Sequence, residues 1–269
     1  MIIFTLATTV VVHAQTPTPT PSPTPSLEHE FVKNILRDQK AIWTAPFHLD
    51  RGDMKWVVPG SIGLMGLFTT DRITGDEMGE ADRQVNISRK ISNIGSIYSL
   101  AAVSGAFYLV GRTKNDSRAR ETGLLSAEAM INSIIVEGAL KGITQRARPL
   151  DGIERSEFFD GGSSFPSGHS TQAWAVATVI ANEYKHRPAV QIAAYGIASA
   201  ISVARFTGHK HYISDVVAGS ALGFGIGKFV YHAHHNESLD DVSKSAWPVI
   251  TPEYNRQARQ YGVALTWNF

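Results

Sequence analysis

Six apolar stretches of helix length follow one another along this chain, at residues 56–68, 91–110, 123–140, 171–184, 189–204 and 213–231. Charge and turn signals separate them, among them the polar segment 113–121, Lys185-His186-Arg187-Pro188 and the glycine-rich segment 160–168. A chain patterned this way buries its apolar surface by packing helix on helix, so the expected fold is all-α, a helical bundle of about six core helices. A further helix begins near Leu27, with Phe31, Ile35 and Leu36 at the three- and four-residue spacing of an element lying on a surface. With 43% apolar and 18% charged residues in 269, the chain suits one substantial core.

The two ends depart from the helical pattern. Residues 1–12 are an apolar run, and Val12-His13-Ala14 before Gln15 has the small residues of a signal peptidase site, although no Lys or Arg precedes the run. The expectation is a signal peptide over 1–14 and export, to a periplasmic or membrane-associated location. Residues 15–26 alternate Thr or Ser with Pro, an extended spacer that cannot pack a core. The helical domain then covers 27–240, and 241–269 is a tail. In that tail Tyr261, Val263, Leu265, Trp267 and Phe269 alternate with smaller or polar residues, and residues 247–251 can pair with them as a short β-hairpin. The terminal aromatic also resembles the end of an outer-membrane barrel, but one or two strands cannot close one.

Net charge of +1 gives no long-range field for nucleic acid, so any preference for phosphate must be local. The absence of cysteine removes disulfides, thiolate metal sites and thiol nucleophiles. Residues 91–111, 21 without a formal charge, are long enough to cross a bilayer, whereas Glu128 and Glu137 interrupt the next stretch. If the N-terminus is exported and every stretch from Trp56 crosses in turn, Arg112, Lys114, Arg118, Arg120, Lys185 and Arg187 fall on the outside, against the positive-inside tendency. An exported helical domain, soluble or resting on a membrane face, removes that conflict and is the expectation. Nothing in the sequence specifies an oligomeric state.

Three constellations carry chemistry. Lys141 and Arg148, with Arg146 close by, are two turns apart if one helix carries both, and Pro149 would end it. Paired cations on one face can hold a tetrahedral anion, although such a cluster is more often a solvated helix end. The run Ser163-Ser164-Phe165-Pro166-Ser167-Gly168-His169-Ser170 leads into a helix whose first amides point at whatever sits in the loop, as an ordinary N-cap also would. Finally, on a helix starting near His211, Asp215 is the i+4 neighbour and can fix the imidazole tautomer, leaving the other nitrogen free to attack phosphorus. The His209-x-His211 spacing with Asp215 also admits a metal, but that spacing is common by chance.

Taken together, Lys141-x6-Arg148-Pro149, Pro166-Ser167-Gly168-His169 and Arg205-x5-His211-x3-Asp215 resemble the type 2 phosphatidic acid phosphatase superfamily, to which the haloperoxidases are related. The resemblance implies a phosphoric ester hydrolase that needs no cofactor or metal. In it His211 is the nucleophile and forms a phosphohistidine, Asp215 stabilises its imidazolium, and His169 is acid and then base. Lys141, Arg148, Arg205 and the backbone amides of Ser167 and Gly168 hold the phosphate. One position departs from the pattern, since Ala204 stands where the family usually has Ser, which implies weaker ground-state binding or a shifted substrate preference.

Of the functions this resemblance admits, hydrolysis of a lipid-linked phosphomonoester or diphosphate leads, because the Ser164–His169 run looks like the lipid-directed branch. A secreted broad-specificity acid phosphatase and a vanadate-dependent haloperoxidase share the motifs. A helical scaffold without activity gives no reason for cations and histidines at three helix ends. His232, His234 and His235, near Asp240 and Asp241, read as a solvated helix end without a role.

Overall fold

The computed structural model describes residues 27–77, 81–149 and 157–236, Leu239, and two strands at 249–255 and 260–266. The expected signal segment, the Thr/Pro spacer, the boundary at 240–241, Trp247, Trp267 and Phe269 lie outside the described residues. Within them the chain forms eight α-helices: α1 (Leu27–Thr44), α2 (Arg51–Glu77), α3 (Asp82–Ile94), α4 (Ile97–Lys114), α5 (Ser117–Thr144), α6 (Gly168–Glu183), α7 (Pro188–Thr207) and α8 (Ile213–His234). The C-terminal hairpin is present as β1 (Val249–Asn255) and β2 (Gln260–Thr266), antiparallel, with Ile250 opposite Leu265.

Local chemistry sets several of these boundaries. Ser96 and Asp116 cap α4 and α5 by accepting the amides of Ser99 and Ala119, which satisfies donors that have no partner inside the helix. Asn115 and Gln145 close the same helices in the left-handed conformation, at φ 54° and 42°. The core is built from α4 to α8. Leu125, Val136, Val179, Ile226 and Val230 form one buried cluster, and Leu100, Met130, Val176, Ala198 and Ile201 form another. The long helices α5 and α6 contribute to both, so they are the centre of the bundle.

The contact that positions the site is between α6 and α8. Gly219, Gly223 and Gly227 form a stripe with four-residue spacing along α8. A Cβ on Gly219 would lie 2.6 Å from the carbonyl oxygen of Ser167, and one on Gly227 2.5 Å from that of Ala175. Only glycine permits this backbone approach. It fixes the axial register of the two helices, so that the amide of Ser167 donates to the carbonyl of Asp215 at 3.0 Å.

The stretch 56–68, expected in the core, lies outside it. It falls on α2, where Trp56, Ile62 and Met65 are 76%, 65% and 67% exposed, and the helix docks through its C-terminal part, where Asp71 is fully buried. Apolar faces of α4 and α7 also point outward, at Tyr98, Leu109, Ile192 and Val203. Four stretches, Asp82–Lys114, Ser117–Thr144, Pro188–Thr207 and Ile213–His234, are long and apolar enough to cross a membrane. So much exposed apolar surface supports membrane association over a freely soluble domain.

Candidate active site

The first constellation is not carried on one helix. Helix α5 ends at Thr144, five residues before Pro149, because Gln145 turns left-handed and the segment after it pairs with the returning loop. The amide of Ala147 donates to the Glu157 carbonyl, and that of Ser164 to the Arg146 carbonyl. Lys141 therefore projects from the last turn of α5, and Arg148 from a non-helical segment beyond it. Lys141 pairs with Glu137 at 2.5 Å, and Gln172 donates to the other oxygen of that carboxylate. The Glu137 carboxylate packs against the backbone of Gly168, where a side chain would collide with it. Arg148 donates to the Ser163 hydroxyl at 3.1 Å.

Arg146 faces away from this group. Its guanidinium is 1% exposed and bonds Asp215 and Asp71, each at 2.6 Å, and the Ser214 hydroxyl at 2.7 Å. The Tyr212 ring covers it at 4.5 Å and the Phe158 ring at 5.0 Å. Arg146 is thus a structural cation, compensating two buried carboxylates that would otherwise be costly.

The third constellation works through a tight return. Arg205 sits in the last turn of α7; Gly208 to Lys210 reverse the chain, with His209 at φ 55°, and the Lys210 amide donates back to the Arg205 carbonyl. This is why five residues separate Arg205 from His211. Helix α8 starts at Ile213, so His211 precedes it and is not helical. The direct bond expected between Asp215 and the imidazole is not made: Nδ1 of His211 lies 3.8 Å from Asp215. It bonds instead to the carbonyl oxygen of Ser164 at 2.8 Å. The Ser164 hydroxyl in turn donates to Asp215 at 2.6 Å, and Asp215 also accepts the amide of Tyr212 in a capping box. Ser164 therefore fixes the tautomer through its carbonyl, with Asp215 one bond further out, and Nε2 is left as the reactive nitrogen. His209 and His211 do not gather with Asp215 as a metal-binding group among the described residues.

The second constellation opens α6, as expected. Ser167 is the N-cap residue, fully buried, but makes no side-chain cap bond, and its amide is committed to Asp215. The amides of Gly168, His169 and Ser170 have no acceptor within the helix by their position in it and remain suited to an anion. His169 is half-buried and lies in the field of Arg205, His211, Lys141 and Arg148. Burial first and these cations second push its pKa down to about 4. Burial does the same to His211, to about 4; Asp215 opposes this, while Arg205 and Lys141 add to it. The buried Nε of Arg205 has no hydrogen-bond acceptor. An anion entering here would supply one and raise both imidazoles.

The structure thus gathers Lys141, Arg148, His169, Arg205 and His211, with Asp215 behind His211. Sequence reasoning passed over Ser164 as a contact of its own, Glu137 and Asp71. Glu137 could have been found as the i−4 neighbour of Lys141; nothing local marks Asp71. The reading of His234 and His235 as solvated is overturned. Their side chains are 8% and 6% exposed, His234 against Asp38 and Glu128, and His235 against Glu121 and Glu183.

The bundle thus brings two imidazoles, half-buried His169 and buried His211, into the field of Lys141, Arg148 and Arg205, an arrangement suited to an anion. Residues 122–239, less than half of the chain, match the model of the PAP2 superfamily. The chain is 39% identical over 70 residues to a lipid A 1-phosphatase of Porphyromonas gingivalis, covering 26% of this chain and 16% of that one. To a PA-phosphatase related-family protein of Dictyostelium discoideum it is 27% identical over 169 residues, covering 56% of this chain and 61% of that one. The chain therefore spans less than two thirds of each of these relatives. Among solved structures, a transmembrane PAP2 type phosphatidylglycerolphosphate phosphatase of Bacillus subtilis aligns over 76% of this chain and 94% of its own, at 21% identity and a TM-score of 0.46. LpxE of Aquifex aeolicus aligns over 62% and 94%, at 18% identity and a TM-score of 0.46.

Proposed function

We propose that this chain is a phosphatase of lipid-linked phosphomonoesters or diphosphates, acting through a phosphohistidine. The observation that carries the reading is the placing of Lys141, Arg148 and Arg205 around two imidazoles, one of them tautomerically fixed. Nε2 of His211 attacks phosphorus as the bond to the leaving oxygen breaks, and protonated His169 gives its proton to that oxygen. A water then attacks the phosphohistidine, losing its proton to His169, and phosphate leaves with His211 neutral again. The three cations and the first amides of α6 meet the charge that spreads over the phosphoryl oxygens in the transition state. Both histidine pKa values near 4 belong to the anion-free site; a phosphate dianion beside His169 favours the protonated form that the first step needs.

Two cavities bear on the organic part of the substrate. One, of about 510 Å³, is lined by Arg89, Asn93, Arg205, His209 and Lys210. The other, of about 760 Å³, runs between α3 and α7 past Ile87, Ile91 and Val203. Ala204 lines both. An apolar groove on an apolar outer face, meeting a basic cavity at the residue beside Arg205, suits a lipid tail and a phosphorylated head. It favours a lipid over the soluble esters of a broad-specificity acid phosphatase, and the relatives' names point the same way. The methyl of Ala204 is compatible with such a tail.

Phosphate release by the purified chain in detergent, with EDTA present, tests this across a phosphatidate, a polyprenyl diphosphate and a soluble aryl phosphate. Faster, detergent-dependent release from a lipid is expected. Equal rates on all three would establish the broad-specificity reading, and halide oxidation appearing only with added vanadate would establish a haloperoxidase.

A further inference from the structure

Far from the phosphate site, three side chains from three helices converge: Asp38 on α1, Glu128 on α5 and His234 at the end of α8. One oxygen of each carboxylate and one nitrogen of the imidazole lie within 4.8 Å of one another. Both carboxyl residues are 1% exposed. Glu128 precedes Lys141 by 13 residues on α5, about 20 Å along the helix axis.

We propose that Asp38, Glu128 and His234 bind one divalent first-row transition metal ion, such as Zn²⁺ or Mn²⁺. The same nitrogen, Nε2 of His234, is 2.9 Å from Asp38 and 3.1 Å from Glu128. One ring nitrogen carries at most one hydrogen, so it cannot serve both carboxylates well, and the buried Oε1 of Glu128 has no hydrogen-bond donor of proper geometry. Ligand atoms about 2.1 Å from a shared cation stand about 3.0–3.4 Å apart, close to the separations found. Charge is compatible with the same answer, since two carboxylates, a neutral imidazole and a dication leave no net charge inside the bundle.

The surroundings are built for it. Asn132 donates to the second oxygen of Asp38 at 2.9 Å, and Gln39 donates to the side-chain Oδ1 of Asn132 at 2.8 Å. Such outer partners hold a ligating carboxylate in orientation. One imidazole with two carboxylates is a donor set for borderline and harder dications rather than for thiophilic ones. The neighbouring group of Glu121, Glu183 and His235 differs, since the Asn236 amide donates to the same Glu121 oxygen that meets His235, and Glu183 and His235 have further partners. A metal at the first group would tie α1 and α8 to α5.

The test uses the untagged full chain in detergent, stripped with chelator, titrated with Co²⁺ as an optical probe and passed through gel filtration. One retained equivalent with d–d bands displaced from those of the aqueous ion is expected, with Zn²⁺ displacing it and raising the thermal midpoint. His234→Ala should abolish the bands, and the size-preserving Glu128→Gln should weaken Co²⁺ binding by roughly tenfold or more. No retained Co²⁺ in the wild-type chain would overturn the proposal, as would equal binding by wild type and Glu128→Gln. Loss of the bands in His235→Ala but not in His234→Ala would overturn it too.

Discussion

Helix α8 has a buried histidine at each end, and the two environments are opposites. At its start, His211 faces Lys141 and Arg205, while the nearby carboxylate of Asp215 is held by Arg146. At its end, His234 faces two carboxylates, with Asn132 donating to one of them. The lesson is that a His–Asp pair four residues apart says little until the charge on the far side of the carboxylate is known. Arg146 withdraws Asp215 from the imidazole, so the first site is net cationic and suited to an anion; at the other end no cationic side chain is found in contact with the carboxylates among the described residues.

The comparison breaks first at His211. His211→Ala should lower kcat by more than about four orders of magnitude while circular dichroism and the thermal midpoint persist, since a nucleophile rather than a packing group is removed. Retained turnover of a phosphomonoester would rule out this nucleophile. Next is His169→Ala, expected to cost about 10²–10⁴ with alkyl phosphates and much less with nitrophenyl phosphate, whose leaving group needs no proton. Equal losses with both would remove the acid role.

Arg146→Met is expected to cost about 3–5 kcal/mol of stability, read as a shift in the denaturation midpoint, because Asp71 and Asp215 lose their counter-charge together. A shift below about 1 kcal/mol would mean that those carboxylates are not compensated by Arg146. Acidification sharpens the contrast further. His169 and His211 have folded pKa values of about 4, below the usual value of 6.5, so unfolding takes up protons between those values. Their contribution to stability is complete above pH 6.5 and is lost as pH falls toward 4. The thermal midpoint should fall across that window, and less steeply in His211→Ala; parallel slopes would contradict the burial of His211. The smallest effect belongs to Ala204→Ser, which should lower KM for a soluble phosphate ester by less than about tenfold, one hydrogen bond's worth. An unchanged KM would mean that position 204 bears on the tail and not on the phosphate.

Much of this was legible from spacing. The helix-length apolar runs gave the all-α bundle, the alternation in the tail gave the hairpin, and the three motifs gave five side chains that do converge. What escaped was settled by contacts between distant residues. The end of α5 at Thr144 depends on Arg146 being drawn inward to Asp71 and Asp215, 75 and 69 positions away in sequence. The exposure of α2 escaped because an apolar run reads alike whether it meets protein or lipid. His234 and His235 looked like a frayed polar end because their partners lie on α1, α5 and α6.

The left-handed corner at Gln145 has a consequence for how this site can change. Past it the chain is no longer helical, and two arginines only one residue apart go separate ways, Arg146 inward to the aspartates and Arg148 toward the imidazoles. In a regular extended strand residues two apart face the same side, so the opposite headings of Arg146 and Arg148 come from the irregular turn after Gln145 and its pairing with the returning loop. A length change of any size in this short link should therefore displace one arginine or the other.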